Sequence, residues 1–141
     1  MDTNQFEQIT FGGGCFWCVE SCFNMLKGVE SAVSGYSGGH KENPTYEEVC
    51  TGETGHAEVV QLTYDPHVIS YEQLMDVFFF LHDPTQLNRQ GNDIGTQYRS
   101  VVYYKDEAEK AKAEKAIKHS QDSGRWNGTY VTELSPAEKF Y

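Results

Sequence analysis

The sequence predicts an α+β fold, a two-layer sandwich with a ferredoxin-like (split βαβ) core and an added peripheral helix and strand. Three observations predict it. Hydrophobic patterns over residues 5–104 follow one another as strand, helix, strand, strand, helix, strand, which is the split βαβ order. Ser70-Tyr71-Glu72-Gln73 has the form of a capping box, so the fifth of these elements starts as a helix. The chain's 141 residues, 38% hydrophobic and 13% aromatic, suit one domain, 1–141, around one core.

The first strand is expected over residues 6–11, with Ile9 and Phe11 on one face. Gly12-Gly13-Gly14 then permits a sharp turn. A helix over residues 15–27 follows and stops at Gly28. Its wheel gathers Cys15, Phe16, Cys18, Val19, Cys22, Phe23, Met25 and Leu26 on one apolar half, which directs Cys18 and Cys22 toward the core. Trp17, Glu20, Asn24 and Lys27 take the other side. A strand over residues 29–36 leads into a long polar loop, 37–55, of the kind that is usually functional. In the next strand, 57–64, Val60, Leu62 and Tyr64 share one face, and Glu58 shares their parity. The capped helix carries Tyr71, Leu74, Phe78 and Leu81 at helical spacing and ends at Asp83-Pro84. A second long loop, 83–97, precedes a strand over 98–104. A third helix runs from residue 106 to about 121, and its apolar stripe is mainly alanine, as befits a peripheral element. A last short strand is expected over residues 130–133.

Composition narrows the function. Twenty-one acidic residues against eleven Lys and Arg give a net charge of −10, which repels nucleic-acid phosphates. No apolar run reaches membrane-spanning length, and the first residues lack the basic and apolar regions of a signal peptide, so a cytoplasmic location without membrane attachment is expected. In a reducing compartment, clustered cysteines point to catalysis or metal binding more than to structural disulfides. Three of the four cysteines, Cys15, Cys18 and Cys22, fall within eight residues.

Cys15 follows three glycines and opens a helix, where unpaired N–H groups and the helix dipole favour the nucleophilic thiolate. Phe16 and Trp17 stand beside it and could frame a small apolar pocket; Trp17, on the polar side of the wheel, points to substrate contact. A carboxyl such as Glu58 on an apolar face is held neutral by desolvation and can donate a proton, although taken alone it also reads as an edge residue turned to solvent. His56 could act as a base, although a lone histidine is usually structural or exposed. Tyr46 and Tyr98 sit at the ends of the two long loops, where their hydroxyls could donate to a polar oxygen. Asp93 by itself reads as a turn residue.

Together these stretches resemble the A-type peptide methionine sulfoxide reductases. The resemblance rests on Gly13-Gly14-Cys15-Phe16-Trp17, Ser34-Gly35-Tyr36-Ser37-Gly38-Gly39, Asn43-Pro44-Thr45-Tyr46-Glu47-Glu48-Val49, Thr54-Gly55-His56-Ala57-Glu58-Val59-Val60, Asp83-Pro84-Thr85 and Asp93-Ile94-Gly95-Thr96-Gln97-Tyr98-Arg99-Ser100, spread in order over nearly the whole chain. It implies thiol-dependent reduction of the S epimer of methionine sulfoxide, free or in oxidised proteins, as repair of oxidative damage. It implies Cys15 as nucleophile, Phe16 and Trp17 as the pocket for the substrate methyl, Glu58 as proton donor, and Tyr46, Asp93 and Tyr98 as its polar support. A sulfenic acid on Cys15 is the implied intermediate. No cofactor and no metal are implied, only a reductant: thioredoxin, glutaredoxin or a small thiol.

The match ends near Phe140-Tyr141, whereas many members continue into a tail that often holds a resolving cysteine. A cycle in which an outside thiol attacks the sulfenic acid is therefore expected, with Cys18, Cys22 and Cys50 as internal alternatives. Two other readings differ in class. Cys15-Phe16-Trp17-Cys18 is a C-x-x-C at a helix start, as in disulfide exchangers, but that reading leaves Glu58 and the tyrosines unexplained. Four cysteines could also ligate a metal, yet helical spacing suits one helix face better than a compact knuckle.

Overall fold

The computed structural model describes residues 6–14, 16–91, 93–124, 126, 128–137, 140 and 141, without the side chain of Phe16. Strand β1 (Glu7–Gly12) leads into helix α1 (Phe16–Asn24), β2 (Val29–Ser37), α2 (Tyr46–Cys50) and β3 (Ala57–Tyr64). Helix α3 (Tyr71–Leu81) follows, then a hairpin of β4 (Arg89–Gln90) and β5 (Asp93–Ile94) and a 3-10 turn at Thr96–Tyr98. Strand β6 (Val101–Tyr104), helix α4 (Glu107–Asp122) and strand β7 (Glu133–Pro136) complete the order. Five strands form one sheet in the order β2-β3-β1-β6-β7. The first four run antiparallel to their neighbours and β7 joins β6 in parallel. The architecture is a mixed α+β fold with a mixed sheet.

Strand alternation sorts side chains between the two faces of the sheet. On the helix side, Ile9, Phe11, Val60, Leu62 and Val102 join Val19 and Phe23 of α1 and Leu74 and Phe78 of α3 in one buried cluster. Phe11 lies at its centre, its ring stacked on Phe78 at 4.3 Å and tilted against Phe23 at 5.1 Å. The opposite face is smaller: Ala57, Val59, Val101 and Tyr103, with Phe140 packed on them. Ser70 caps α3 through the reciprocal pair with Gln73 that the capping box requires.

Edge strand β2 needs partners for backbone groups that no strand pairs. The polar side of α1 supplies them. Glu20 accepts from the Ser34 N–H at 2.8 Å, and Asn24 accepts from the N–H of Ala32 and donates to its carbonyl.

Several expected boundaries move. Helix α1 ends at Asn24, followed by turn residues up to Gly28. It buries a stripe of Val19 and Phe23, narrower than the apolar half of the wheel, so Cys18 is exposed and Cys22 half-buried instead of facing the core. The loop 37–55 contains α2, whose Thr45 and Glu48 form a second capping box. Residues 96–98 belong to the 3-10 turn, which leaves β6 to begin at Val101. The last strand lies at Glu133–Pro136, because Tyr130 is drawn into the core, its hydroxyl bonded to Ser120 at 2.7 Å. Among the described residues no helix is long and apolar enough to cross a membrane.

Candidate active site at the head of the first helix

The turn between β1 and α1 rests on two side chains from the C-terminal half. Gly13 lies so close to His82 that an added Cβ would meet the imidazole carbons at 2.7 Å. Gly14 adopts a φ of +86°, a conformation glycine takes without steric cost, and packs against Gln90. Gln90 in turn clamps its loop, accepting from the Asp83 N–H at 2.6 Å and donating to the Asp83 carbonyl at 2.9 Å.

His82 is buried. Its Nδ1 lies 2.7 Å from the Phe78 carbonyl, which can only accept, so Nδ1 carries the proton. Nε2 therefore accepts from the Ser100 hydroxyl at 2.8 Å, and Ser100 accepts from Thr132 at 2.8 Å. Burial lowers the His82 pKa to about 4, so the ring is neutral near pH 7. The turn thus stands on a neutral, fully bonded imidazole.

Cys15 and the side chain of Phe16 lie outside the described residues. The remaining residues expected at the site come together beyond the turn. Glu58 is 2% exposed and has the parity of Val60 and Leu62, on the helix side of β3. Trp17, 58% exposed, stacks on Tyr46 with ring centroids 5.9 Å apart and planes at 22°. Helix α2 presents Tyr46, and the 3-10 turn presents Tyr98. Gln97 ties the two segments by donating to the Cys50 carbonyl at 3.4 Å.

The tyrosines are electrostatically joined to Glu58. A side-chain hydrogen bond to Cys50 is the main cause of a raised Tyr46 pKa, followed by the charges of Cys50 and Tyr98. Burial and then the Glu58 charge raise Tyr98, and a hydrogen bond from Tyr46 opposes them. Both hydroxyls stay protonated near neutral pH and can donate. Asp93, exposed on β5, adds its charge to those acting on Tyr98. It also lines a cavity of about 210 Å³ with Gly13, Cys18, Cys22, Leu81 and Gln90.

Two residues carry parts that single-residue reading misses. Tyr36 joins the cluster from β2, directly across the ladder from Glu58. Burial, then the Glu58 charge, raise its pKa to about 12. Strand parity is the signal that finds it, since two facing residues of an antiparallel pair share a side of the sheet. Cys50, one helical turn beyond Tyr46 on α2, shares a side-chain hydrogen bond with it. His56 is structural: its Nδ1 accepts from the Gly39 N–H at 3.0 Å and its Nε2 donates to the Lys41 carbonyl at 2.6 Å, pinning the loop that leads to α2.

Fold and site together define an α+β enzyme with a cluster of carboxyl and hydroxyl groups at the head of its first helix. The chain belongs to the peptide methionine sulfoxide reductases: the family model of that description matches residues 7–141. Peptide methionine sulfoxide reductase MsrA of Natronomonas pharaonis is 58% identical over 132 residues, covering 94% of this chain and 74% of the relative. Among solved structures, Mxr1 of Saccharomyces cerevisiae in reduced form aligns with a TM-score of 0.91 at 35% identity, covering 99% of this chain and 81% of that one. Mxr1 in complex with Trx2 aligns at 25% identity with a TM-score of 0.73, covering 99% and 82%. The activity of the present chain is thiol-dependent reduction of methionine sulfoxide, and the S epimer is the family's substrate.

Proposed function

We propose that Cys15 is the nucleophile and Glu58 the acid of this reduction, with Tyr46 and Tyr98 as hydroxyl donors, Asp93 as their charged neighbour, and Phe16 and Trp17 as the seat of the substrate methyl. The observation that carries this reading is the buried Glu58 carboxyl grouped with Tyr46 and Tyr98, with the exposed Trp17 stacked on Tyr46. A carboxyl removed from water favours its neutral form, which is the form an acid needs.

The Cys15 thiolate attacks the sulfoxide sulfur while Glu58 gives its proton to the oxygen. The hydroxyls of Tyr46 and Tyr98 stabilise charge on that oxygen as the S–O bond breaks. The released oxygen, as water, then attacks the Cys15 sulfur and breaks its new bond to the substrate sulfur, giving its proton back to the Glu58 carboxylate; methionine leaves reduced and Cys15 is left as a sulfenic acid. An outside thiol then attacks the sulfenic acid with loss of water, and a second thiol releases Cys15 with formation of a disulfide. A thioredoxin-type dithiol suits this step, supported by the complex of the yeast relative with Trx2; glutaredoxin or a small thiol would serve by the same chemistry.

Substrate presented by oxidised proteins and the free amino acid share the methyl sulfoxide head this pocket would hold. We read residues 1–141 as one catalytic domain that works in the cytoplasm. We also read its core as a split βαβ unit, a reading supported by the strand order β2-β3-β1-β6 and its antiparallel pairing.

The test is chromatographic separation of the two methionine sulfoxide epimers during reduction with dithiothreitol, by the wild type and by Cys15→Ser. Selective loss of the S epimer, abolished by the substitution, is expected. Turnover that survives in Cys15→Ser would overturn the assignment of the nucleophile.

A further inference from the structure

We propose that Tyr36 is the positioning residue of the acid, its hydroxyl directed at the Glu58 carboxyl from the neighbouring strand. The inference rests on the reading of Glu58 as proton donor and adds the group that orients it.

The register of the sheet sets the pair. Tyr36 and Glu58 face each other across the β2–β3 ladder, and opposed residues of an antiparallel pair have Cβ atoms only about 5 Å apart on one side of the sheet. That side is the helix side, because Ala32 and Leu62, which also face each other, are both in the core beneath α1 and α3. Both side chains therefore leave the sheet on the same face. The Glu58 charge is felt at Tyr36 more than any other charge.

The backbone of Tyr36 is itself held. Its carbonyl accepts from the Tyr141 N–H at 2.9 Å, and the Phe140 ring packs so closely on Gly35 that an added Cβ would overlap it. On the far side of the pair, α1 binds the edge of β2 through Glu20 and Asn24. Strand β2 is therefore fixed from both sides at the point where Tyr36 leaves it. The other titratable groups facing the pair are Tyr46, Glu47 and Cys50 of α2, Tyr98 of the 3-10 turn and Asp93 beside it. Cys15 lies outside the described residues.

The chemistry gives Tyr36 work at one moment. Glu58 becomes a carboxylate when its proton passes to the sulfoxide oxygen, and the Tyr36 O–H then donates to that carboxylate. A donor to the charged form makes the acid stronger and holds it in one orientation. Tyr36 need not touch the substrate.

The experiment measures methionine formed in a single turnover without reductant, across pH, for the wild type, Tyr36→Phe and Glu58→Gln. Tyr36→Phe keeps the ring and removes only the hydroxyl. Its maximal rate is expected to fall about tenfold, the sulfoxide concentration giving half-maximal rate to change less than about twofold, and the alkaline limb of the profile to move upward, because a carboxyl without its donor holds its proton to higher pH. Incorporation of 3,5-difluorotyrosine at position 36 strengthens the donor and is expected to move the same limb downward, which keeps the proposal testable if the phenylalanine variant folds poorly. An unmoved limb in both proteins, or a raised half-maximal concentration at unchanged maximal rate, would overturn it. Glu58→Gln separates the two readings: retained activity there removes the acid itself, whereas lost activity with an unmoved Tyr36 profile removes only Tyr36.

Discussion

On one side of the glycine turn, His82 commits both ring nitrogens to protein partners and passes the chain on through Ser100 to Thr132. On the other side, Tyr46 and Trp17 stack on each other, 42% and 58% exposed, and the Glu58 carboxyl whose charge acts on Tyr46 is buried. Both groups are polar and both adjoin the same turn. The first is closed, its hydrogen bonds saturated within the fold, and burial holds it neutral. The second couples its members electrostatically to one another and opens outward. A closed polar group fixes backbone position, and an open one is available to a substrate. The fold thus sets a rigid support and a reactive surface beside the same three glycines.

The comparison breaks most visibly at Glu58. Glu58→Gln keeps the volume and removes the acid, so the single-turnover rate is expected to fall by about 10²–10⁴ with little change in thermal unfolding. A large loss of stability with preserved rate would assign Glu58 to the support instead.

His82→Ala should do the reverse. It leaves the Phe78 carbonyl and the Ser100 hydroxyl short of a partner and opens a cavity, for a stability loss of about 3 kcal/mol by denaturant unfolding. The pH dependence sharpens this. The His82 pKa lies at about 4 in the fold against an ordinary 6.5, so between these values the unfolded chain binds more protons. Stability from this group is therefore present above pH 6.5 and is lost as pH falls toward 4, by up to about 3 kcal/mol. Unfolding curves of the alanine variant should lack that component, and an identical pH slope in both proteins would contradict the buried neutral ring.

Gly13→Ala tests the contact between the two sides. The new methyl would meet the His82 ring at 2.7 Å, so turn or ring must move. A loss of about 1–3 kcal/mol is expected, accompanied by a slower reaction. Unchanged stability and rate would show that the turn does not depend on its support.

Much of this was legible in the sequence, and the gaps have physical causes. The parity of Val60, Leu62 and Tyr64 announced the buried face on which Glu58 lies, and Ser70 with Gln73 announced α3. Thr45 and Glu48 carry the same capping signal as Ser70 and Gln73, yet α2 is five residues long, too short to show an apolar period. Cys18 was expected inside because a wheel counts apolar residues without knowing how much of the helix the sheet covers. The shift of β7 was hidden because Tyr130 is apolar and strand-like but belongs to the core as a side chain bonded to α4. Parity alone put Tyr36 on one face of its strand; its pairing with Glu58 needed the register, which joins residues 22 positions apart.

The most direct measurement is peptide mapping by mass spectrometry after one equivalent of S-methionine sulfoxide is reduced in the presence of dimedone and no thiol. One methionine released per chain, with the dimedone adduct on Cys15, is the result the account predicts. An adduct on Cys18, Cys22 or Cys50 with Cys15 unmodified would contradict it.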